Sequence, residues 1–254
     1  MNLHQRLSLT LIGLTATIFI AESPAVYARD TKSIAVQIHS DDPVDLSVRL
    51  AGKPLAIEQT AEDFYNLGVQ KYHQKDYPGA IEAYDRAIAL NPNYANAYIG
   101  RGNARDDLGN SQSAIADYNQ AIKIDPNNAS AYLNRGVTHL RLKNNQAAIA
   151  DYNQAIKIDP QYAEAYIKRG FILYILADNQ AALADYNQAI KIDPNNAPAY
   201  IGRGGVRAQL GDRQEAIADL QKAADLFQKQ GDNESSQKVL DLIKKIQGTQ
   251  SAPQ

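Results

Sequence analysis

The stretch ADYNQAIKIDP at residues 150–160 recurs unchanged at 116–126 and 184–194, and EAYDRAIALNP at 82–92 is a close variant. The closing prolines, Pro92, Pro126, Pro160 and Pro194, therefore stand 34 residues apart. A fixed period of that length denotes one supersecondary unit stacked on copies of itself, each covering its neighbour's apolar face. Such an array offers an extended surface where most folds enclose a pocket, so function is to be sought on that surface.

Around these blocks each unit carries an aromatic, a glycine four residues on, an alanine twelve further, an aromatic after four, an alanine after three and a proline after five. The second unit supplies Tyr98, Gly102, Ala114, Tyr118, Ala121 and Pro126, and the third and fourth follow in register from Tyr132 and Tyr166. The first opens with Phe64 and Gly68. Intervals of three and four place residues on one helix face, so each unit reads as two antiparallel helices. Glycine inside a helix costs about 1 kcal/mol relative to alanine, so Gly68, Gly102, Gly136, Gly170 and Gly204 must be offset by close packing. The expected facing partners are Ala80, Ala114, Ala148, Ala182 and Ala216, with the tyrosines above and below. Gly109-Asn110 and Gly211-Asp212 mark the turns inside units, and Asp212 with Glu215 has the spacing of a capping box. Asn128 and Asn196 are suited to cap the next helix.

These residues, recurring in register, make residues 61 to about 230 resemble the tetratricopeptide repeat family, in the manner of an exported bacterial protein. The resemblance implies an all-α fold, a right-handed α-solenoid of stacked helix-turn-helix repeats. The expected repeats are 61–94, 95–128, 129–162, 163–196 and 197–230. Gln228 replaces a fifth proline, so the last repeat helix should run on before Gly231-Asp232 turns into a capping helix over 231–247. Val239, Leu240, Ile243 and Ile246 would face inward and Lys238, Asp241, Lys244 and Lys245 outward, followed by a disordered tail at 248–254. Where the family usually has leucine before the glycine, this chain has Leu67 once and then Arg101, Arg135, Arg169 and Arg203. Each arginine is followed sixteen residues later by Asp117, Asp151, Asp185 or Asp219, whereas Leu67 is followed by Ala83. Within-chain covariation of this kind indicates a salt bridge between the two helices, not a free ladder for an acidic ligand.

Before the repeats, Arg6, an apolar run from Leu7 to Ile20 and small residues at Val26 and Ala28 have the form of a secretory signal peptide over 1–28. The 14 residues of this run would rise about 21 Å, short of a hydrocarbon core about 30 Å thick, which favours cleavage over anchoring. The expected location is beyond a membrane, in a periplasm, a thylakoid-lumen-like compartment or outside the cell, with no membrane contact after cleavage. Residues 29–60 form a leader, extended or partly disordered. Its alternation at Ile34, Val36, Ile38 and at Val44, Leu46, Val48, Leu50 permits a small hairpin, with turns at Asp41-Asp42-Pro43 or Gly52-Lys53-Pro54. Two strands alone are marginal in water.

The chemistry of the chain argues against catalysis. With 26 basic and 28 acidic residues there is no basic footprint for nucleic acid. The chain has no cysteine, and His4, His39, His73 and His139 form no metal-ligand spacing. The glycines of GRGG at 202–205 fall inside an expected helix and not after a strand, which excludes a phosphate loop. No cofactor is expected, and the chain reads as a non-enzyme. The sequons at Asn128 and Asn233 carry no assigned role.

The family resemblance implies that first helices line a concave groove for a peptide or protein partner. By register that groove shows Asn96, Ile99 and Asn103, then Ser130, Leu133, Asn134 and Val137, then Glu164, Ile167, Lys168 and Phe171, and finally Pro198, Ile201 and Gly205. Asn103, Asn134 and Lys168 match three places of the carboxylate clamp found in some members, but Ile99 and Glu164 stand where basic residues are needed. The apolar run FILYIL at 171–176 leaves two assignments for Phe171, groove anchor or core. The function expected is therefore an adaptor or scaffold, with structural self-assembly by end-to-end stacking or positioning of an enzyme partner as alternatives. The sequence leaves the oligomeric state open.

Overall fold

The computed structural model describes the backbone of four short strands, over 7–11, 14–18, 47–50 and 53–56, and the chain in full over residues 59–248. The chain divides into two units, 1–58 and 59–254. In the first, β1 (Leu7–Leu11) pairs antiparallel with β2 (Leu14–Ile18), and β3 (Ser47–Leu50) with β4 (Lys53–Ala56). β3 and β4 meet with Leu50 opposite Lys53, so Lys53 and Pro54, expected in a turn, lie in the short second strand, while Gly52 lies outside the described residues. The Ile34–Ile38 alternation, the turn at Asp41–Pro43, the small residues at Val26 and Ala28 and the tail after 248 lie outside the described residues.

Among the described residues the second unit is built of eleven helices. They are α1 (Ala61–His73), α2 (Tyr77–Leu90), α3 (Ala95–Asp107), α4 (Ser111–Ile124), α5 (Ala129–Arg141), α6 (Asn145–Ile158), α7 (Ala163–Ile175), α8 (Asn179–Ile192), α9 (Ala197–Leu210), α10 (Arg213–Lys229) and α11 (Asn233–Gly248). Odd and even helices up to α10 pair as hairpins, each stacks on the next, and the result is an α-solenoid capped by α11. First helices α1, α3, α5, α7 and α9 approach one another more closely than second helices do, so the first helices line the inner face of the curve.

Local chemistry sets the helix ends. The residues before the prolines, Asn91, Asp125, Asp159 and Asp193, adopt extended φ of −136°, −130°, −126° and −129°, because proline disfavours helical geometry in the residue it follows. Each side chain then accepts from the backbone N–H two residues on. Asn128 and Asn196 cap α5 and α9 through Ala131 and Ala199 N–H. The capping box expected at Asp212 does not form, since that side chain makes no cap hydrogen bond. A box is found instead at Thr60, whose Oγ1 accepts from Asp63 N while the Asp63 carboxylate accepts from Thr60 N. Without a fifth proline α10 runs for 17 residues where α8 has 14. α11 then buries Val239 and Ile243 against Leu220, Ala223 and Leu226.

The core is a column of small residues and rings. Tyr84, Tyr118, Tyr152, Tyr186 and Leu220 are fully buried on the second helices, beside alanines of zero exposure. The first three repeated glycines face these rings, which corrects the expected glycine-to-alanine contact there, while Gly170 meets Asp185 Cβ first at 3.2 Å and the Tyr186 ring at 3.4 Å. A Cβ on Gly68, Gly102 or Gly136 would lie 2.5, 2.7 or 2.6 Å from Cε1 of Tyr84, Tyr118 or Tyr152. Only at Gly204, whose partner helix has leucine in place of tyrosine, is the nearest atom from the alanine, the Ala216 carbonyl oxygen at 3.1 Å. Ring area buried against bare backbone offsets what glycine costs the helix.

Candidate functional site: the inner face of the array

Before the inner face can bind anything it must hold a shape, and the arginines supply that. Arg135 Nε and Nη2 donate to Asp151 at 2.9 and 2.6 Å, and Arg169 and Arg203 repeat this bidentate geometry on Asp185 and Asp219. Arg101 grips Asp117 at 2.6 Å. The third guanidinium nitrogen reaches sixteen residues the other way, to Asp85, Asn119, Asn153 or Asn187 on the preceding repeat. Each arginine thus staples its own second helix to the previous one, lying over its own aromatic Tyr98, Tyr132, Tyr166 or Tyr200 at 5.3 to 5.6 Å. Asp117, Asp151, Asp185 and Asp219 are buried, which such charge pairing permits. Hydrogen bonding to Asp151 and Asp185 holds Arg135 and Arg169 more firmly protonated, outweighing burial. None of these guanidinium groups is a free ladder for an acidic ligand.

The inner face differs from repeat to repeat. In repeats one to three it is polar: Tyr72 donates to Asp107 at 2.5 Å, Ser111 donates to the buried Asp106 at 2.8 Å, and Arg141 Nη1 lies 3.2 Å from the same carboxylate. Burial, followed by the Asp107 hydrogen bond, pushes the Tyr72 phenol well above its usual range. Repeat four adds an apolar stripe, with Phe171 46% and Ile175 53% exposed, beside Leu176, whose register is also held by the exposed Leu108, Leu142 and Leu210. Gly205, one repeat later at the register of Phe171, has open space where a Cβ would stand.

The residues expected to contact a partner separate into four groups. Asn96 and Phe171 are exposed, so Phe171 is surface and not core. Ile99 and Leu133 are buried and offer no surface to a partner: they fill space against Tyr118 and Tyr152, because the helix stripe that carries them turns toward its own hairpin. Val137 is half-buried against the Tyr152 core and Ile167 against the Tyr186 core, as is Tyr174, the other candidate anchor. Asn103, Asn134 and Lys168 are half-buried. Asn103 Oδ1 accepts the Tyr118 hydroxyl at 2.8 Å, and Lys168 lies 3.6 Å from Glu164, so two members of a carboxylate clamp already have partners within the chain. Ile175 was readable within FILYIL, but only the helix register shows that it shares a stripe with Phe171. Among the described residues no group of histidine and carboxylate side chains is placed to hold a metal.

Tetratricopeptide repeat family models match residues 99–163 and 197–230, and a TPR repeat model matches 68–109 and 172–211, together more than half of the chain. The chain belongs to the tetratricopeptide repeat family. Among solved structures it is similar to MamA, at 28% identity over 65% of this chain and 96% of that one with a TM-score of 0.57. It shares its fold with TTC0263, a thermophilic TPR protein of Thermus thermophilus, at 20% identity, 71% and 99% coverage and a TM-score of 0.60. The same holds for YrrB, described as a TPR protein with an unusual peptide-binding site, at 22% identity, 70% and 92% coverage and a TM-score of 0.52. No curated protein matches the chain.

Proposed function

We propose that this protein is an exported interaction scaffold that holds a peptide segment of a partner along the inner face of its repeats, with Phe171 and Ile175 as the apolar anchor. The family is in general a non-catalytic, protein-interacting one, and this chain's inner face carries the chemistry for that role. The observation that carries the proposal is the apolar pair on α7. Helix geometry puts residues 171 and 175 on one stripe, and both are about half exposed, whereas the exposed Leu108, Leu142, Leu176 and Leu210 recur at a single register position of repeats two to five and so mark no one repeat. Asn96 adds an exposed polar group, and the notch over Gly205 leaves room for a partner side chain beside Phe171.

The ends of the array disfavour end-to-end stacking. At register positions where interior repeats bury Ala97, Ala131, Ala165 and Ala199, the first repeat has exposed Asp63. Where they bury Ala104, Thr138, Ile172 and Val206, it has exposed Gln70. α11 covers the other end with exposed Lys238, Asp241, Lys244 and Lys245 outward. Polar terminal faces are what a finite solenoid requires. Export rests on the signal-like segment, and mass spectrometry of the mature chain from its native host tests it: an N-terminus at Arg29 is expected, and an intact Met1–Ala28 segment overturns it. The partner assignment is tested by affinity capture from envelope extracts, comparing the wild-type chain with the Phe171→Ala, Ile175→Ala double variant. A protein partner retained by the wild type should be lost from the variant, and equal retention by both removes the anchor.

A further inference from the structure

The junctions between repeats differ at one register position, two residues before the repeated glycine, held in turn by Gly100, Asn134, Lys168 and Gly202. A Cβ on Gly100 would lie 2.5 Å from Tyr84 Cζ, and one on Gly202 would collide with the Tyr186 ring, so at those two junctions the preceding tyrosine is wedged against bare backbone. Asn134 and Lys168 have side chains at that place, and α4/α5 and α6/α7 pack less extensively than α2/α3 and α8/α9. The looser pair are themselves unequal. α3 and α5 are tied across the inner face by Arg141, which also donates to the Asp106 carbonyl at 2.8 Å, whereas α5 and α7 approach each other least of the successive inner helices. At that same junction the Tyr152 hydroxyl is buried with no hydrogen-bond partner among the described residues. Its counterpart Tyr118 is satisfied by Asn103, but Val137 occupies the equivalent place for Tyr152. Buried donors without acceptors are rare and mark sites where packing is not optimised.

We infer that the array bends at the junction between its third and fourth repeats. Residues 61–158 form one block and residues 163–248 the other. What remains at the seam is the Arg169 staple to Asn153 and the apolar packing of Ala165 and Ile172 on the Tyr152 cluster, so the blocks rock without separating. Phe171 lies just beyond the seam on α7, and rocking changes its separation from the polar inner face of α3 and α5. Lys168 then acts on the site by setting groove width, a role distinct from touching a ligand. That consequence rests on the proposed partner site, but the hinge itself does not.

The absence of cysteine allows clean double labelling. Glu82, Ala116, Ala150, Ala184 and Ala218 are exposed on successive second helices at one register position. Spin-label distance distributions for the full chain, free of partner, should be about twofold broader for Ala116→Cys/Ala184→Cys and Ala150→Cys/Ala218→Cys than for Glu82→Cys/Ala150→Cys, which stays within one block. Lys168→Gly, which lets Tyr152 wedge as Tyr84 does, should narrow both broad distributions and leave the third unchanged. Val137→Asn should narrow them too, by giving Tyr152 an acceptor without adding a helix glycine. Equal widths for all three pairs, or broad pairs that neither variant narrows while circular dichroism shows the helices intact, overturn the hinge and leave the scaffold proposal standing. Broad pairs together with equal capture by wild-type and anchor-variant chains keep the hinge and sink the anchor.

Discussion

Repeats two and four share a backbone, an arginine staple and a buried tyrosine, yet their inner helices present opposite chemistries. α3 carries Asn103, Asp106 and Asp107, all engaged within the array, while α7 carries Phe171, Tyr174 and Ile175, two of them open to solvent. A repeat array is its own control: what recurs holds neighbours together, and what differs is free to meet a partner or to tune motion. The contrast also warns that variation has two causes. Asn103 varies because Tyr118 needs an acceptor, and Phe171 varies with no structural need that the fold displays.

The largest expected effect would break the shared part of that comparison. Asp185→Ala strands the half-buried Arg169 without its carboxylate and should cost about 3 to 5 kcal/mol in urea unfolding. A loss below about 1 kcal/mol would show that the staple is ornamental in repeat four. Next in size, Asn103→Val should cost about 1 to 3 kcal/mol by leaving the Tyr118 hydroxyl unsatisfied. Tyr152→Phe should be neutral or stabilising, because that hydroxyl has no partner to lose. Equal losses for the two would erase the distinction between satisfied and unsatisfied rings.

Smaller effects sharpen the contrast inside repeat four. Ala177 sits at φ 60°, at the turn position where repeat two has Gly109 and repeat five Gly211, both left-handed. Ala177→Gly should therefore stabilise the array by about 1 kcal/mol in the same assay, since glycine bears no Cβ penalty there. Smallest in stability, Phe171→Ala should shift unfolding by less than about 0.5 kcal/mol, as expected for a half-exposed side chain. A shift of about 2 kcal/mol would place Phe171 in the core and return the inner face of repeat four to structure.

Much of this was legible in the chain. The 34-residue period, the alanine, tyrosine and alanine at intervals of four and three, and the paired appearance of Arg135 with Asp151 are local or periodic signals, and each recurs often enough to cancel chance. The inner face was legible only by register. Ile99 and Leu133 have the same register as Ile167, but how far each turns under its neighbour depends on helix crossing, which no residue type encodes. The box at Asp212 failed for a related reason: the spacing was right, but the side chain did not fold back on the helix.

The sequence by itself determined the repeat, its helix boundaries and its internal salt bridges, because prolines, caps and charge pairs act through neighbours at fixed separations along the chain. Only the tertiary structure decided that the first three repeated glycines face rings, that Asn103 serves Tyr118, that Tyr152 lacks a partner among the described residues and that Phe171 and Ile175 stand open. Those outcomes depend on contacts between different helices, where a shift of about an ångström changes which atom meets which, and close-packed interiors respond to shifts of that size.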